Sequence, residues 1–97
     1  MLSPIYTVQF RRDVKKCQQR GKEMEKLKTV VSLLLAQSPL PPQYKDHALK
    51  GAWRKRRELH LEPDWLLVYK IAGAHCTFDR TGTQPISLGI DMIRASS

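Results

Sequence analysis

The chain has 97 residues, of which 41% are hydrophobic and 27% are charged, a composition that suits one small globular domain with a modest core. Lys and Arg number 17 against 9 Asp and Glu, which gives a formal net charge of +8. On so small a domain this charge favours a polyanionic partner, with nucleic acid first and an anionic membrane second. The alternative is an ordinary basic surface.

Cysteine count and hydropathy exclude several classes of protein. Cys17 and Cys76 are too few for a disulfide framework or a cysteine zinc site, so we expect reduced thiols in a cytoplasmic protein. The first residues lack the apolar core of a signal peptide. The longest apolar-rich run, residues 30–36, is interrupted by Ser32 and is far too short to span a bilayer, which argues against an integral membrane protein.

The first half of the chain predicts one strand followed by two helices. Apolar Tyr6, Val8 and Phe10 alternate with polar residues, which is typical of a β-strand. Helix-forming residues follow, and Gly21 divides them into helices predicted at 11–20 and 22–37. The second helix carries an apolar stripe spaced for packing on a sheet: Met24, Leu27, Val30, Val31 and Leu34.

The second half predicts a three-stranded meander. Prolines after residue 38 end the second helix, and a loop, "YKDHALKG", follows. Antiparallel strands are predicted at 52–61, 65–71 and 75–81, joined by the turns "EPD" and "AGA". The order is β-α-α-β-β-β, an α+β fold with two helices on one face of a small, mainly antiparallel sheet. Beyond Thr81 the sequence has no clear period.

One predicted strand has a basic face. Because side chains alternate along a strand, Arg54 and Arg56 share a face with Glu58 and His60, and that face is expected to lie away from the helices. Arginine binds phosphate through two parallel hydrogen bonds, so this row suits a phosphate backbone. The alternative is a solvated edge strand protected by charge.

The stretch "HLEPDW" places ionisable groups at the mouth of a buried strand. The turn "EPD" brings the Asp64 carboxylate within reach of the His60 ring, where it would fix the tautomer of a general base. The alternative is a simple turn at Asp64 beside a surface histidine.

The remaining histidines are dispersed. His47 lies in the loop beside Lys45 and Lys50, and it becomes significant only if that loop folds over the same face as His60. No two histidines have the spacing of a helical zinc motif, so we expect no metal site. Arg80, in "FDRTGT", is a weak signal for anion binding.

Three segments together resemble the YafQ branch of the RelE/ParE superfamily of bacterial toxins: "YKDHALKGAW", "RELHLEPDWLLVYK" and "FDRTGT". The resemblance extends to about Gly89, which implies one toxin domain over residues 1–89 and a tail over 90–97. It implies the toxin of a type II toxin–antitoxin system, a cytoplasmic, metal-independent endoribonuclease without a cofactor. Such toxins cut mRNA in the ribosomal A site and are held inactive in a complex with a protein antitoxin.

The resemblance also implies roles for individual residues. His47 and His60, the latter with Asp64, would transfer protons as the ribose 2′-OH attacks the adjacent phosphate. Arg80 would neutralise the charge that develops on phosphorus. Trp65 would stack on a base or buttress the site. RNA contacts would come from the surrounding basic residues: Lys45, Lys50, Arg54 and Arg56.

Two positions depart from the family pattern. Gln84 stands where the family has a histidine, and Leu88 stands where the family has an aromatic residue. Glutamine hydrogen-bonds a phosphate oxygen but does not exchange a proton near neutral pH, so binding should survive better than turnover. A catalytically impaired relative that keeps RNA and antitoxin binding is therefore an open alternative. A toxin directed at gyrase is a third interpretation, which the cluster of His and Asp residues disfavours.

Overall fold

The computed structural model describes residues 1–83, and the predicted positions Gln84, Leu88 and 90–97 lie outside this part. Its elements are β1 (Ser3–Tyr6), α1 (Val8–Gln19), α2 (Met24–Leu35), β2 (His47–Ala48), β3 (Arg57–Glu62), β4 (Trp65–Ala72) and β5 (His75–Thr83). The five strands form one sheet in the order β1-β5-β4-β3-β2, with β1 parallel to β5 and the other pairs antiparallel. The predicted α+β fold is confirmed.

The first helix begins earlier than predicted. The alternation from Tyr6 to Phe10 was interpreted as strand, but β1 ends at Tyr6. Thr7 caps α1, because its hydroxyl oxygen accepts a hydrogen bond from the Phe10 N–H at 2.9 Å. The same hydroxyl lies 3.1 Å from the Asp79 carbonyl oxygen, which joins the cap to β5. Residues 8–10, which alternate as in a strand, therefore form the first turn of α1.

The division between the helices and the apolar stripe of α2 are confirmed. Gly21 follows α1 with a φ of 81°, a left-handed conformation that glycine adopts without a steric penalty. Leu27, Val30 and Leu34 are buried against the sheet, with Met24 and Val31 packed at the margin of the same core. The sheet contributes an opposing set: Leu59, Leu61, Trp65, Leu67, Tyr69, Cys76 and Phe78.

The chain between the second helix and β3 differs most from expectation. The "YKDHALKG" loop contains a two-residue strand, β2, that pairs with β3. The predicted strand at 52–61 begins only at Arg57, because Gly51–Trp53 forms a short 3₁₀ turn. Leu49 and Trp53 pack over Val68 on the sheet face opposite the helices. That face, predicted to be free, is therefore partly covered.

Both cysteines are free and buried in the core. Burial raises the pKa of Cys17, and it raises the pKa of Cys76 to about 11. Within residues 1–83, neither helix has the length and apolar character needed to cross a membrane.

A half-buried ion-pair cluster joins the helices to the turn between β3 and β4. The Glu62 carboxylate accepts hydrogen bonds from Lys26 at 2.7 Å and from Lys22 at 2.9 Å. These contacts hold the pKa of Glu62 below its ordinary value. The cluster fixes the turn that carries Pro63 and Asp64.

We expect Glu62→Gln to lower the melting temperature at pH 7 by roughly 2–5 °C, because two ion pairs at the surface are lost. A carboxylate with a lowered folded-state pKa stabilises the fold above its unfolded value of 4.5. That contribution disappears as the pH falls through the lower folded value. The two proteins should therefore converge in stability in acid, as thermal unfolding between pH 7 and pH 2 will measure.

Glu25→Gln is the matched control, because Glu25 is 83% exposed and its ion pair lies within its own helix, 3.4 Å from Lys28 Nζ. A pH-independent difference between wild type and Glu62→Gln would contradict the linkage.

Candidate active site

Strand register places three candidate residues on one face of the sheet. His47 is paired with Glu58, Glu58 with Val68, and Val68 with Arg80. Directly opposed residues point to the same face, so these four form a transverse row. His60 lies two residues along β3 from Glu58 and joins them on that face. We refer to the His47–Glu58–Val68–Arg80 row as the site row.

The two histidines of this face lie side by side. The ring centroids of His47 and His60 are 6.3 Å apart, with the planes tilted by 32°. The loop that carries His47 therefore folds onto the same face as His60. On the sequence analysis, this arrangement is the one in which His47 becomes significant. His75 lies elsewhere, exposed at the opposite end of β5 from Arg80.

A backbone carbonyl sets the tautomer of His47. Its Nδ1 lies 2.8 Å from the Lys45 carbonyl oxygen, which only accepts, so Nδ1 must carry a proton. Its Nε2 lies 3.4 Å from Glu58 Oε1 and is the atom available for proton exchange. The Glu58 side chain is only 3% exposed. Sequence reasoning placed Glu58 on the same face as His60 but assigned it no role.

His60 is oriented in the same way, and not by Asp64. Its Nδ1 lies 3.3 Å from the Pro63 carbonyl oxygen. The predicted contact between His60 and Asp64 is wrong: within residues 1–83 no hydrogen bond or ion pair joins them. The Asp64 carboxylate instead lies 3.6 Å from Lys22 Nζ and is 66% exposed. A register shift between His60 and Glu62 turns the chain so that Asp64 faces the helix side.

Arg80 is fixed by a buried carboxylate from α1. Its Nε and Nη2 donate to the two oxygens of Asp13 at 2.6 and 3.2 Å. Asp13 also accepts from the Thr81 N–H at 3.2 Å and is 4% exposed. A guanidinium carries five N–H donors, of which this carboxylate takes two. Asp13 was missed by the sequence because it lies inside a run of helix formers, far along the chain from Arg80.

The proposed stacking of Trp65 on a base is wrong. Trp65 is fully buried, and its Nε1 donates to the Thr81 hydroxyl at 3.0 Å. The Thr81 hydroxyl in turn donates to the Leu66 carbonyl at 2.7 Å. Trp65 points towards the helices, so it belongs to the layer beneath the site, in agreement with the alternative that it buttresses the face.

The predicted row of two arginines is also wrong. Arg54 and Arg56 precede β3, so the alternation of a strand does not apply to them. The Arg56 guanidinium lies 3.0 Å from Asp79 Oδ2 and 4.8 Å from the centre of the Trp53 ring. Burial raises the pKa of Asp79, and the positive charge of Arg56 opposes that shift. Arg56 thus fastens the segment over Val68, whereas Arg54 is exposed.

Exposed cations nevertheless surround His47. Lys45 and Lys50 flank β2 on either side, and both are exposed, as is Arg54 on the following turn. Beside His60 a cavity of about 300 Å³ opens between Tyr44, Leu61 and Pro63. Within residues 1–83 no group of three His, Cys, Asp or Glu side chains is arranged to hold a metal ion. The face therefore combines two oriented imidazoles with exposed positive charge.

We expect Trp65→Phe to lower the free energy of unfolding by about 1–3 kcal/mol, because it removes a buried hydrogen bond and part of a large side chain. If this face binds RNA, as the family resemblance implies, the folded variant should keep the wild-type affinity, since the ring is not on the surface. Urea unfolding and RNA binding measured under native conditions test the two statements. A selective loss of RNA affinity without loss of stability would restore the stacking role.

Comparison with known proteins identifies the family. The family model described as "Bacterial toxin of type II toxin-antitoxin system, YafQ" matches residues 2–85. The mRNA interferase toxin YafQ of Escherichia coli strain K12 is 46% identical over 85 residues, which cover 87% of this chain and 92% of that protein.

Solved structures agree. The crystal structure of YafQ from E. coli strain BL21(DE3) matches with a TM-score of 0.82 at 46% identity, over 87% of this chain and 94% of that one. YafQ in the E. coli DinJ–YafQ complex matches with a TM-score of 0.83 at 43% identity, over 92% and 100% of the two chains. A metal-bound toxin from Helicobacter pylori matches with a TM-score of 0.81 at 38% identity, over 87% and 96%. The chain belongs to the YafQ family of bacterial toxins of type II toxin–antitoxin systems.

Proposed function

We propose that this toxin is a cytoplasmic endoribonuclease that cuts ribosome-bound mRNA and is neutralised by a protein antitoxin. The observation that supports this most directly is the pair of imidazoles, His47 and His60, with ring centroids 6.3 Å apart. Each ring has its Nδ1 at a backbone carbonyl, so proton transfer falls to the Nε2 atoms, of which that of His47 lies beside Glu58 Oε1.

Two adjacent imidazoles supply the acid and the base that RNA cleavage requires. One Nε2 takes the proton of the ribose 2′-OH as its oxygen bonds to phosphorus. The other gives a proton to the 5′-oxygen as the P–O5′ bond breaks, leaving a 2′,3′-cyclic phosphate and a 5′-OH. Neither step requires a metal ion.

Arg80 lies at the far end of the site row from His47, three strand spacings or roughly 14 Å away at the backbone. Its long side chain carries positive charge towards an RNA strand that crosses the row. Arg80 would stabilise the dianionic transition state or hold a neighbouring phosphate. Lys45, Lys50 and Arg54 extend the positive surface around His47 and would add sequence-independent contacts to the backbone.

The partner proposed for the resting state is an acidic antitoxin segment. The E. coli relative has been crystallised as a DinJ–YafQ complex, and the present protein carries a net charge of +8. A negatively charged segment would be attracted to the same exposed cations that attract RNA. Inhibition would then follow from competition for the basic face.

His60→Ala and His47→Ala should each lower cleavage of ribosome-bound mRNA by about 10²–10⁴-fold, because each removes a proton-transfer group. Both rings lie on the sheet face away from the main core, so the fold should persist. The matched control is His75→Ala, since His75 is exposed at the opposite end of β5 from Arg80. Wild-type cleavage in His60→Ala and His47→Ala would refute the proposal.

Gln84→His should raise cleavage by about tenfold or more, from the usual range for a positioned acid or base. The family resemblance places a histidine there, and glutamine hydrogen-bonds phosphate without exchanging a proton. RNA binding should hardly change. Both proteins should be compared at matched ribosome occupancy. A tenfold gain supports an attenuated enzyme, whereas equal rates would remove position 84 from proton transfer.

A further inference from the structure

Asp46 lies next to His47 in the chain but makes its contacts on the other face of the sheet. Its Oδ2 accepts from Arg57 Nε at 3.0 Å and lies 2.9 Å from Arg57 Nη2. Its Oδ1 accepts a hydrogen bond from the Tyr69 hydroxyl. Arg57 and Tyr69 are directly opposed on β3 and β4. We call these three residues the Asp46 clamp.

Tyr69 is the rigid end of the clamp. It is 2% exposed and belongs to the main core, so its ring cannot move without disturbing the helix packing. Burial raises the pKa of its hydroxyl, with the neighbouring Asp46 carboxylate as the second cause. The phenol therefore stays protonated and donates to Asp46.

The segment that carries His47 has few other restraints. β2 is only two residues long, and its pairing with β3 involves His47 and Ala48 alone. On the following side, Leu49 is buried and its N–H donates to the Arg56 carbonyl at 2.9 Å. On the preceding side, Lys45 adopts a left-handed φ of 50°, which is uncommon outside glycine. There Tyr44 packs at the margin of the main core, and Asp46 adds the hydrogen-bonded and charged tie to it.

The clamp and the tautomer of His47 are connected through the backbone. The Lys45 carbonyl that receives the His47 Nδ1–H is bonded to the Asp46 nitrogen. Holding the Asp46 carboxylate therefore fixes the peptide that orients the ring. Arg57 precedes Glu58, so the same two strands are joined on one face by the clamp and on the other by the His47–Glu58 contact.

We propose that Asp46, Arg57 and Tyr69 are positioning residues that act through the core face of the sheet to hold the His47 ring in its Nδ1-protonated form. The consequence for cleavage depends on the proposed role of His47 in proton transfer. The effect of the clamp on the tautomer of His47 does not depend on that role, so positioning of the ring and cleavage can be tested separately.

Tyr69→Phe removes one hydroxyl and leaves the core ring, and Asp46→Asn removes the charge that holds Arg57. In protein with ¹⁵N-labelled histidine, the wild type should show a protonated Nδ1 at His47. Both variants should lose that signal and gain exchange between tautomers, while the ring signals of His60 stay unchanged. Cleavage should fall about 10–100-fold in kcat with little change in KM, as for other groups that act through a ligating or reacting side chain.

Tyr6→Phe is the matched control, because Tyr6 lies on β1 and stacks on Phe10 and Phe78 without joining the clamp. Arg57→Lys provides a milder variant that folds even if Tyr69→Phe does not, since it keeps the charge but loses the planar fork. It should give an intermediate loss of the His47 Nδ1 signal.

Unchanged His47 signals in the clamp variants would overturn the proposal, and so would equal disturbance of His47 and His60, which indicates a general loss of stability. If His47→Ala cuts at the wild-type rate, the proton-transfer role fails. The nitrogen signals still decide whether the clamp positions the ring.

Discussion

The edge of the sheet that carries Arg80 depends on the hydrogen bonds that the buried carboxylate of Asp13 accepts. β1 pairs with residues 75–78 only, so within residues 1–83 no strand lies beside the second half of β5 on the side away from β4. Helix α1 takes that place: Thr7 contacts the carbonyls of Phe78 and Asp79, and Asp13 accepts from Thr81 N–H and Arg80. Removing a carboxylate from water is costly, and these charge-assisted hydrogen bonds offset that cost.

The same sheet serves as core and as site because register assigns each residue to a face. On the helix side, Arg57, Tyr69 and Phe78 are successive cross-strand neighbours. Glu58, the next residue along β3, belongs to the site row, whose side chains point to the opposite face of the sheet. A slip of one residue in any strand would bury the site row and expose the clamp. The apolar residues of the core therefore specify the position of the catalytic candidates.

Periodicity predicted the elements that are long and regularly patterned. The stripe of α2 follows from it, since burial repeats along that helix. The division into two helices followed from helix formers around Gly21, and β4 and β5 followed from the turns that bound them. β2 was missed because two residues have no period. The basic stretch before Arg57 resembled a strand by composition, but its apolar residue Trp53 is used to cover Val68 instead.

For three of the candidate residues, the shared face was predictable from the sequence more than their contacts. The resemblance nominated His47, His60 and Arg80, and register places them on one face. The groups that orient these three residues could not be predicted from the sequence. Asp13 lies far from Arg80 in sequence, and two of the orienting groups are backbone carbonyls, which no side-chain pattern reveals. Asp64 is the opposite case. It lies close to His60 in sequence, but the register shift between His60 and Glu62 places it away from the His60 ring.

The distribution of acidic residues explains how a protein with three structural arginines still presents a positive face. Asp13, Asp46 and Asp79 each turn inward to an arginine: Arg80, Arg57 and Arg56 respectively. Each pairing fixes a guanidinium at a defined place and keeps a carboxylate away from solvent. The lysines that flank His47 are exposed and project into solvent. Because these three carboxylates are withdrawn from this surface, an RNA backbone bound as in the proposed function would meet net attraction there rather than alternating charge.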